Sequence, residues 1–139
     1  MGELTCRACV VACIDFRLDK PLRRFLVFRG LDQEGADVVR VAGVSLSLAR
    51  PDKAWERDFV LGQLMASHAL HQIKEIYLVN HEDCGAYGLE CVPDSEEERD
   101  RHWKDLKAAK ELVERKIPGV EVLTYFLHID GRAEQVTWT

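Results

Sequence analysis

Short apolar runs alternate along the chain with longer amphipathic stretches. Cys6 to Ile14 is a nearly continuous apolar run of strand length, the pattern of a strand buried on both faces of a parallel sheet. From Asp19 to Leu31, Pro21 stands near a helix start, and Leu22, Phe25, Leu26 and Leu31 follow at helical spacing. Asp37 to Val41 predicts a second short strand ending in Ala42-Gly43. Asp52 is positioned to cap a helix running to Ile73, whose apolar stripe is Trp55, Phe59, Ala66, Leu70 and Ile73. Glu75 to Asn80 predicts a third strand.

Ser95 and Glu98 fit a capping box opening a charged helix that Pro118-Gly119 stops, with Trp103, Leu106, Leu112, Val113 and Ile117 on its inner face. Asp94 to Lys116 carries eight acidic and seven basic residues, which reads as a solvated helix face rather than a partner site. Glu121 to Ile129 predicts a fourth strand. Asp130-Gly131 marks a hairpin turn, and Ala133 to Trp138 a last strand returning antiparallel. Strands alternating with helices predict an α/β fold with a mainly parallel sheet and helices on both faces. With 139 residues, the expectation is a single domain over residues 1–139.

Composition narrows the choice of function. Apolar residues at 47% and charged residues at 31% are ordinary for a folded domain and argue against disorder. A net charge of −5 disfavours nucleic acid as a partner, which calls for a basic face. No apolar run is long enough for a membrane span, and no leader is visible from Met1 to Thr5, so the expected location is cytoplasmic.

Five cysteines in a reducing compartment point to metal binding, catalysis or packing before disulfides. Cys13, Asp15 and Arg17 are spaced by two, so an extended chain would point all three the same way. His81 and Cys84 lie just past the third strand. In open α/β sheets, ligands gather beyond the carboxyl ends of strands where the order reverses. Placing the first and third strands side by side would unite Cys13, His81 and Cys84. Two thiolates and an imidazole suit Zn²⁺, one per chain, with a fourth position open. Beside it, Asp15 would accept a hydrogen bond from the zinc water and Arg17 would fix Asp15. The metal would make hydroxide available near neutral pH.

The remaining candidates carry weaker signals. On an extended strand, Cys6 and Cys9 face opposite sides and read as core packing; Cys91 reads as structural. His68, His71, His102 and His128 are candidate proton carriers. Tyr87, just after Cys84-Gly85, is placed to line a pocket. Val60, Leu61, Leu64 and Met65 widen the apolar face of the 52–73 helix, which predicts self-association as a homodimer or larger homo-oligomer.

These residues resemble a known family. Cys13-Ile-Asp-Phe-Arg17 is similar to the Cys-x-Asp-x-Arg signature of the β-class carbonic anhydrases, and His81-Glu-Asp-Cys-Gly85 to their His-x-x-Cys-Gly signature. Arg40-Val-Ala-Gly43 resembles the Arg-Asn-Ala-Gly segment between them, and the likeness spans about Leu4 to Trp138. The resemblance implies a sheet ordered 2-1-3-4 with a fifth antiparallel strand. It implies Cys13, His81 and Cys84 as zinc ligands, Asp15 and Arg17 as the catalytic dyad, and a pocket including Phe16, Val41 and Gly43. The implied activity is a lyase reaction, reversible hydration of CO₂ to bicarbonate by zinc-bound hydroxide. Phe16 and Val41 replace a usual Ser and Asn, which makes the site more apolar and keeps COS or CS₂ as an alternative substrate. A non-catalytic protein whose zinc is closed by Asp15 is the other alternative.

Overall fold

Five strands form one sheet in a computed structural model that describes residues 4–88 and 92–138. They are β1 (Ala8–Ala12), β2 (Ala36–Arg40), β3 (Glu75–His81), β4 (Glu121–Leu127) and β5 (Ala133–Gln135). Their spatial order is β2-β1-β3-β4-β5; only β5 runs antiparallel to its neighbour. This is the α/β fold and strand order expected from the sequence. β1, β4 and β5 are shorter than expected by two to four residues, β2 is shifted by one, β3 is longer by one, and Cys91 lies outside the described residues. No helix among the described residues is long and apolar enough to cross a membrane.

The apolar runs become the middle of the sheet. Every residue of β1 is buried, as are all of β3 and β4 after their first glutamates. The edge strand β2 is only partly buried and carries Asp37 and Arg40, which discourage further strand pairing. Helix α1 (Asp19–Phe28) covers one face, with Phe25 packed edge-on against Tyr77 and Tyr125 at ring distances of 5.8 and 4.9 Å. A short helix α2 (Leu31–Glu34) follows it. The opposite face holds α3 (Ser45–Ala49), α4 (Ala54–His71) and α5 (Glu96–Lys116). There Trp103 and His102 meet Phe126 at 5.2 and 5.0 Å. Tyr125 and Phe126 are consecutive on β4, so they point to opposite faces.

Two helix expectations are corrected. In α4 the buried positions are Val60, Leu61, Leu64 and Ser67, while Trp55, Phe59, Ala66 and Leu70 of the expected stripe face outward. Both sets recur at helical spacing, so periodicity alone could not choose between them. In α5 the supposed solvated face hides Glu98, His102 and Asp105. Asp105 is buried because Arg50 grips both its oxygens, at 2.9 and 2.8 Å. The short helix α3 was not foreseen.

Candidate metal centre

β1 and β3 are adjacent, yet their crossovers run in opposite directions, to β2 and to β4. That is a topological switch point, where a crevice opens beyond the strand ends. Cys13 follows β1 directly, His81 is the last residue of β3, and Cys84 lies three further on. Their donor atoms all fall within 4.8 Å of one another, and all three residues are buried. The sulfurs are 4.0 Å apart. Two thiolates on a tetrahedral ion with Zn–S bonds of about 2.3 Å would stand about 3.8 Å apart, so the pair already has the spacing a metal needs.

His81 supplies the strongest test of fit. Its Nδ1 lies 2.6 Å from the carbonyl oxygen of Glu82, which can only accept, so Nδ1 carries the proton. Nε2 is therefore the lone-pair nitrogen. It is buried with no hydrogen-bond partner. An unsatisfied buried nitrogen is costly unless something binds it. The thiols also fit: the Cys13 thiol is lowered by the neighbouring Cys84 S–H, and Cys84 is raised in turn by Cys13. A cation between them would favour ionisation of both.

The loop after β1 does not continue extended. Asp15 caps a single 3-10 turn over Phe16–Leu18, and its Oδ1 accepts the Arg17 backbone N–H at 2.9 Å. Arg17 thus folds back onto Asp15, with Nη2 to Oδ2 at 2.7 Å and Nε to Oδ1 at 3.1 Å. Turn geometry, rather than the expected strand alternation, aims both groups at the site. Hydrogen bonds from Arg17 hold the Asp15 carboxyl down at about 2. Asp15 Oδ2 lies 3.9 Å from His81 Nε2, beside the three donors rather than among them.

Several residues support the site in ways the sequence does not assign to them. Arg17 also donates to Asp83, at 3.0 Å to Oδ2 and 2.8 Å to its carbonyl oxygen. Glu98 accepts the backbone N–H groups of Asp83 and Asp94, at 2.6 and 2.7 Å. The capping box is therefore half-formed: Ser95 Oγ accepts from Glu98 N, but the Glu98 carboxylate accepts from Asp94 and Asp83 rather than from Ser95 N, tying the helix start to the metal-site loop. Arg40 donates to the carbonyls of Cys13 and Asp15, at 2.5 and 3.1 Å. Asn80 gathers Ser45, Tyr87 and His102 into a polar network behind the centre. Burial holds His102 down to about 3, so it is neutral there.

A cavity of about 620 Å³ opens beside Cys13, Asp15, Arg17 and Asp83. Its apolar walls are Ile14, Phe16, Ala42 and Ala86. Phe16, 85% exposed, stands at its mouth. Val41, Gly43 and Tyr87 do not line this cavity, contrary to the reading of the sequence. Val41 packs against the core, and Tyr87 lies behind the centre, hydrogen-bonded to Ser45 at 3.0 Å. Gly43 instead donates its backbone N–H to Cys13. It does so at φ +79°, with Leu46 and Ala86 where a Cβ would sit, so only glycine fits this turn. None of His68, His71, His102 and His128 lines the cavity.

Comparison with known proteins agrees with this geometry. Residues 4–137 match the family described as "Putative carbonic anhydrase". An uncharacterized protein of Rickettsia conorii is 29% identical over 131 residues, covering 91% of this chain and 70% of its own length. A second, from Rickettsia bellii, is 28% identical over 131 residues, covering 91% of this chain and 79% of its own.

Proposed function

Because the chain belongs to this carbonic-anhydrase family, we propose that it is a zinc-dependent lyase that interconverts CO₂ and bicarbonate. The observation that carries the reading is the buried, unpartnered Nε2 of His81 facing two thiols beside a carboxylate that an arginine holds still. Cys13, His81 and Cys84 would hold the ion. When bound, Zn²⁺ supplies Lewis-acid activation of water near neutral pH.

The chain's own residues do the rest. Asp15, kept anionic by Arg17, accepts a hydrogen bond from the attacking water and orients its lone pair toward the substrate carbon. Both Asp15 oxygens are engaged by Arg17, which opposes a swing onto the metal and disfavours the closed, non-catalytic alternative. The apolar walls formed by Ile14, Phe16 and Ala86 suit a small uncharged linear molecule. Attack forms one C–O bond while one C=O π pair moves onto a substrate oxygen, and the proton from the broken O–H bond of the water leaves through the cavity to solvent. COS and CS₂ share the size and apolarity of CO₂, and the exposed Phe16 keeps them as a second reading.

A second copy of this chain is the proposed partner, seated on the outward stripe of α4. A cytoplasmic location is proposed because thiol ligands need a reducing compartment. The deciding experiment follows CO₂ hydration by the zinc-loaded protein between about pH 6 and pH 9, with COS hydrolysis in parallel. Hydration lost in Cys84→Ser together with the metal is the expected result. Hydration absent at every pH with zinc bound would overturn the proposal.

A further inference from the structure

At the other end of β1, some 20 Å from the first centre at 3.2–3.4 Å per residue, lies a second group of metal-binding side chains that the proposed activity does not use. Cys6 stands just before β1, Asp37 is the second residue of β2, and His71 closes α4. Their donor atoms lie within 4.8 Å of one another. We propose that Cys6, Asp37 and His71 form a second metal site, selective for a borderline divalent cation such as Zn²⁺.

The sequence reading placed Cys6 and Cys9 on opposite sides of an extended strand. The structure overturns that, because β1 begins only at Ala8 and the chain bends at Arg7. The Cys6 backbone N–H donates to the His71 carbonyl at 3.1 Å, which pins Cys6 to the end of α4. Cys9 pairs in register with Asp37 on the same face. Burial pushes the Cys9 thiol up to about 12, so it stays protonated beneath the site and serves as packing.

Each donor keeps capacity for an ion. Asp37 Oδ2 accepts from His71 Nδ1 and from Ser67 Oγ, both at 2.6 Å, while Oδ1 accepts from no described residue. His71 Nδ1, the ring nitrogen that faces Asp37, becomes the ligand atom once an ion replaces the proton it shares with the carboxylate. The Cys6 thiol makes only a long 3.5 Å contact with the Ala8 carbonyl. No lysine or arginine pairs with Asp37 among the described residues. That separates this group from Asp94, His128 and Glu134, which Arg99 already neutralises at 2.7 and 3.5 Å. One sulfur, one imidazole and one carboxylate make a mixed set that suits Zn²⁺ better than a hard ion such as Mg²⁺. Ser67 steadies the carboxylate as a supporting hydrogen bond should. His71 and Asp37 are each about one-third exposed, which gives the ion an entry path and a fourth position for water.

The test counts ions on the full chain. Zn²⁺ is loaded and excess removed, metal per folded chain is measured, and Co²⁺ is used as a spectroscopic probe of thiolate ligation. The parent is expected to hold two ions. Cys13→Ser/Cys84→Ser should keep one, with a cobalt–thiolate band that disappears when Cys6→Ser is added. Cys6→Ser or His71→Gln in the otherwise unchanged chain should lower the count from two to one, and both variants should keep CO₂ hydration. A parent holding one ion that Cys84→Ser removes would overturn the second site and leave the first intact. A single ion lost in Cys6→Ser but retained in Cys84→Ser would instead uphold this site and refute the first centre. If the double variant does not fold, an unchanged count and cobalt spectrum in Cys6→Ser alone would still overturn the proposal.

Discussion

Arg17 reaches across the site to Asp83, donating to its carboxylate at 3.0 Å and to its carbonyl at 2.8 Å. The loop after β1 carries Cys13 and Asp15, and the end of β3 and the loop that follows carry His81 and Cys84. One guanidinium thus ties both ligand-bearing loops while it holds Asp15. Asp83→Asn keeps the backbone contact and removes the charge. Turnover is expected to fall by about 10-fold with metal content unchanged, on the scale of a lost supporting hydrogen bond. Stopped-flow CO₂ hydration and metal analysis on one sample check this; unaltered turnover would limit the role of Asp83 to its backbone.

Asp15→Asn tests the group proposed to accept a hydrogen bond from the reacting water. The amide keeps the size but presents a donor where an acceptor is needed. Metal is expected to stay, and turnover to fall by roughly 10²-fold or more. The closed-site reading forecasts the reverse, with weaker metal binding and an inactive parent. Metal content and hydration rate on the same sample separate the two.

The sheet and the candidate Cys13–His81–Cys84 cluster were legible because both rest on local signals: apolar runs of strand length, and potential ligands at or just beyond the ends of two of them. What escaped was set by tertiary contacts. Trp55 and Phe59 recur at the same helical spacing as Val60 and Leu64, and only the neighbouring sheet decides which pair faces inward. Glu98 satisfies the spacing of a capping box, yet its carboxylate is drawn to Asp83 N across 15 residues of chain. Asp15 and Arg17 were paired correctly for an incorrect local reason, since a turn and not strand alternation brings them together. Gly43 was assigned to the pocket, whereas its role is to bring an N–H to Cys13.

Glu98 offers a stability prediction at the same loop. Glu98→Ala leaves the N–H groups of Asp83 and Asp94 without their charged acceptor at a part-buried place. The expected cost is on the order of 1–2 kcal/mol, from two lost charge-assisted hydrogen bonds. Glu98→Gln should cost less, since one oxygen still accepts. Urea denaturation of the three proteins ranks them, and an alanine variant as stable as the parent would contradict the loop-holding role.

Acid stability should depend on Glu134. Hydrogen bonds from Arg99 first, and then from His128, hold its carboxyl at about 2 against an ordinary 4.5. A depressed folded-state value means that its contribution is complete above about pH 4.5 and is lost as pH falls toward 2. Glu134→Gln should therefore lower the melting temperature near neutral pH, and the gap to the parent should close across that acid window. Thermal melts at stepped pH provide the check; a gap that is constant down to pH 2 would show that the Arg99–Glu134 pair adds no pH-linked stability.

The last prediction concerns the outward face of α4. Trp55 is 65% exposed, Phe59 55% and Leu70 65%, and with the exposed Ala66 they recur at intervals of four, seven and four residues along one side of the helix. Single exposed apolar residues are ordinary, but a row along one helix marks a contact surface. A second copy of the chain can cover the stripe isologously, each helix packing on its counterpart. Light scattering at micromolar concentration should give at least twice the 15.9 kDa of one chain. Trp55→Asp/Phe59→Asp should shift the particle toward a single chain, because a buried unpaired charge opposes association. These positions touch neither metal group, so metal content should not change. A parent that elutes as one chain, or a charged variant that keeps the parent's mass, would show that the stripe does not bind a second copy.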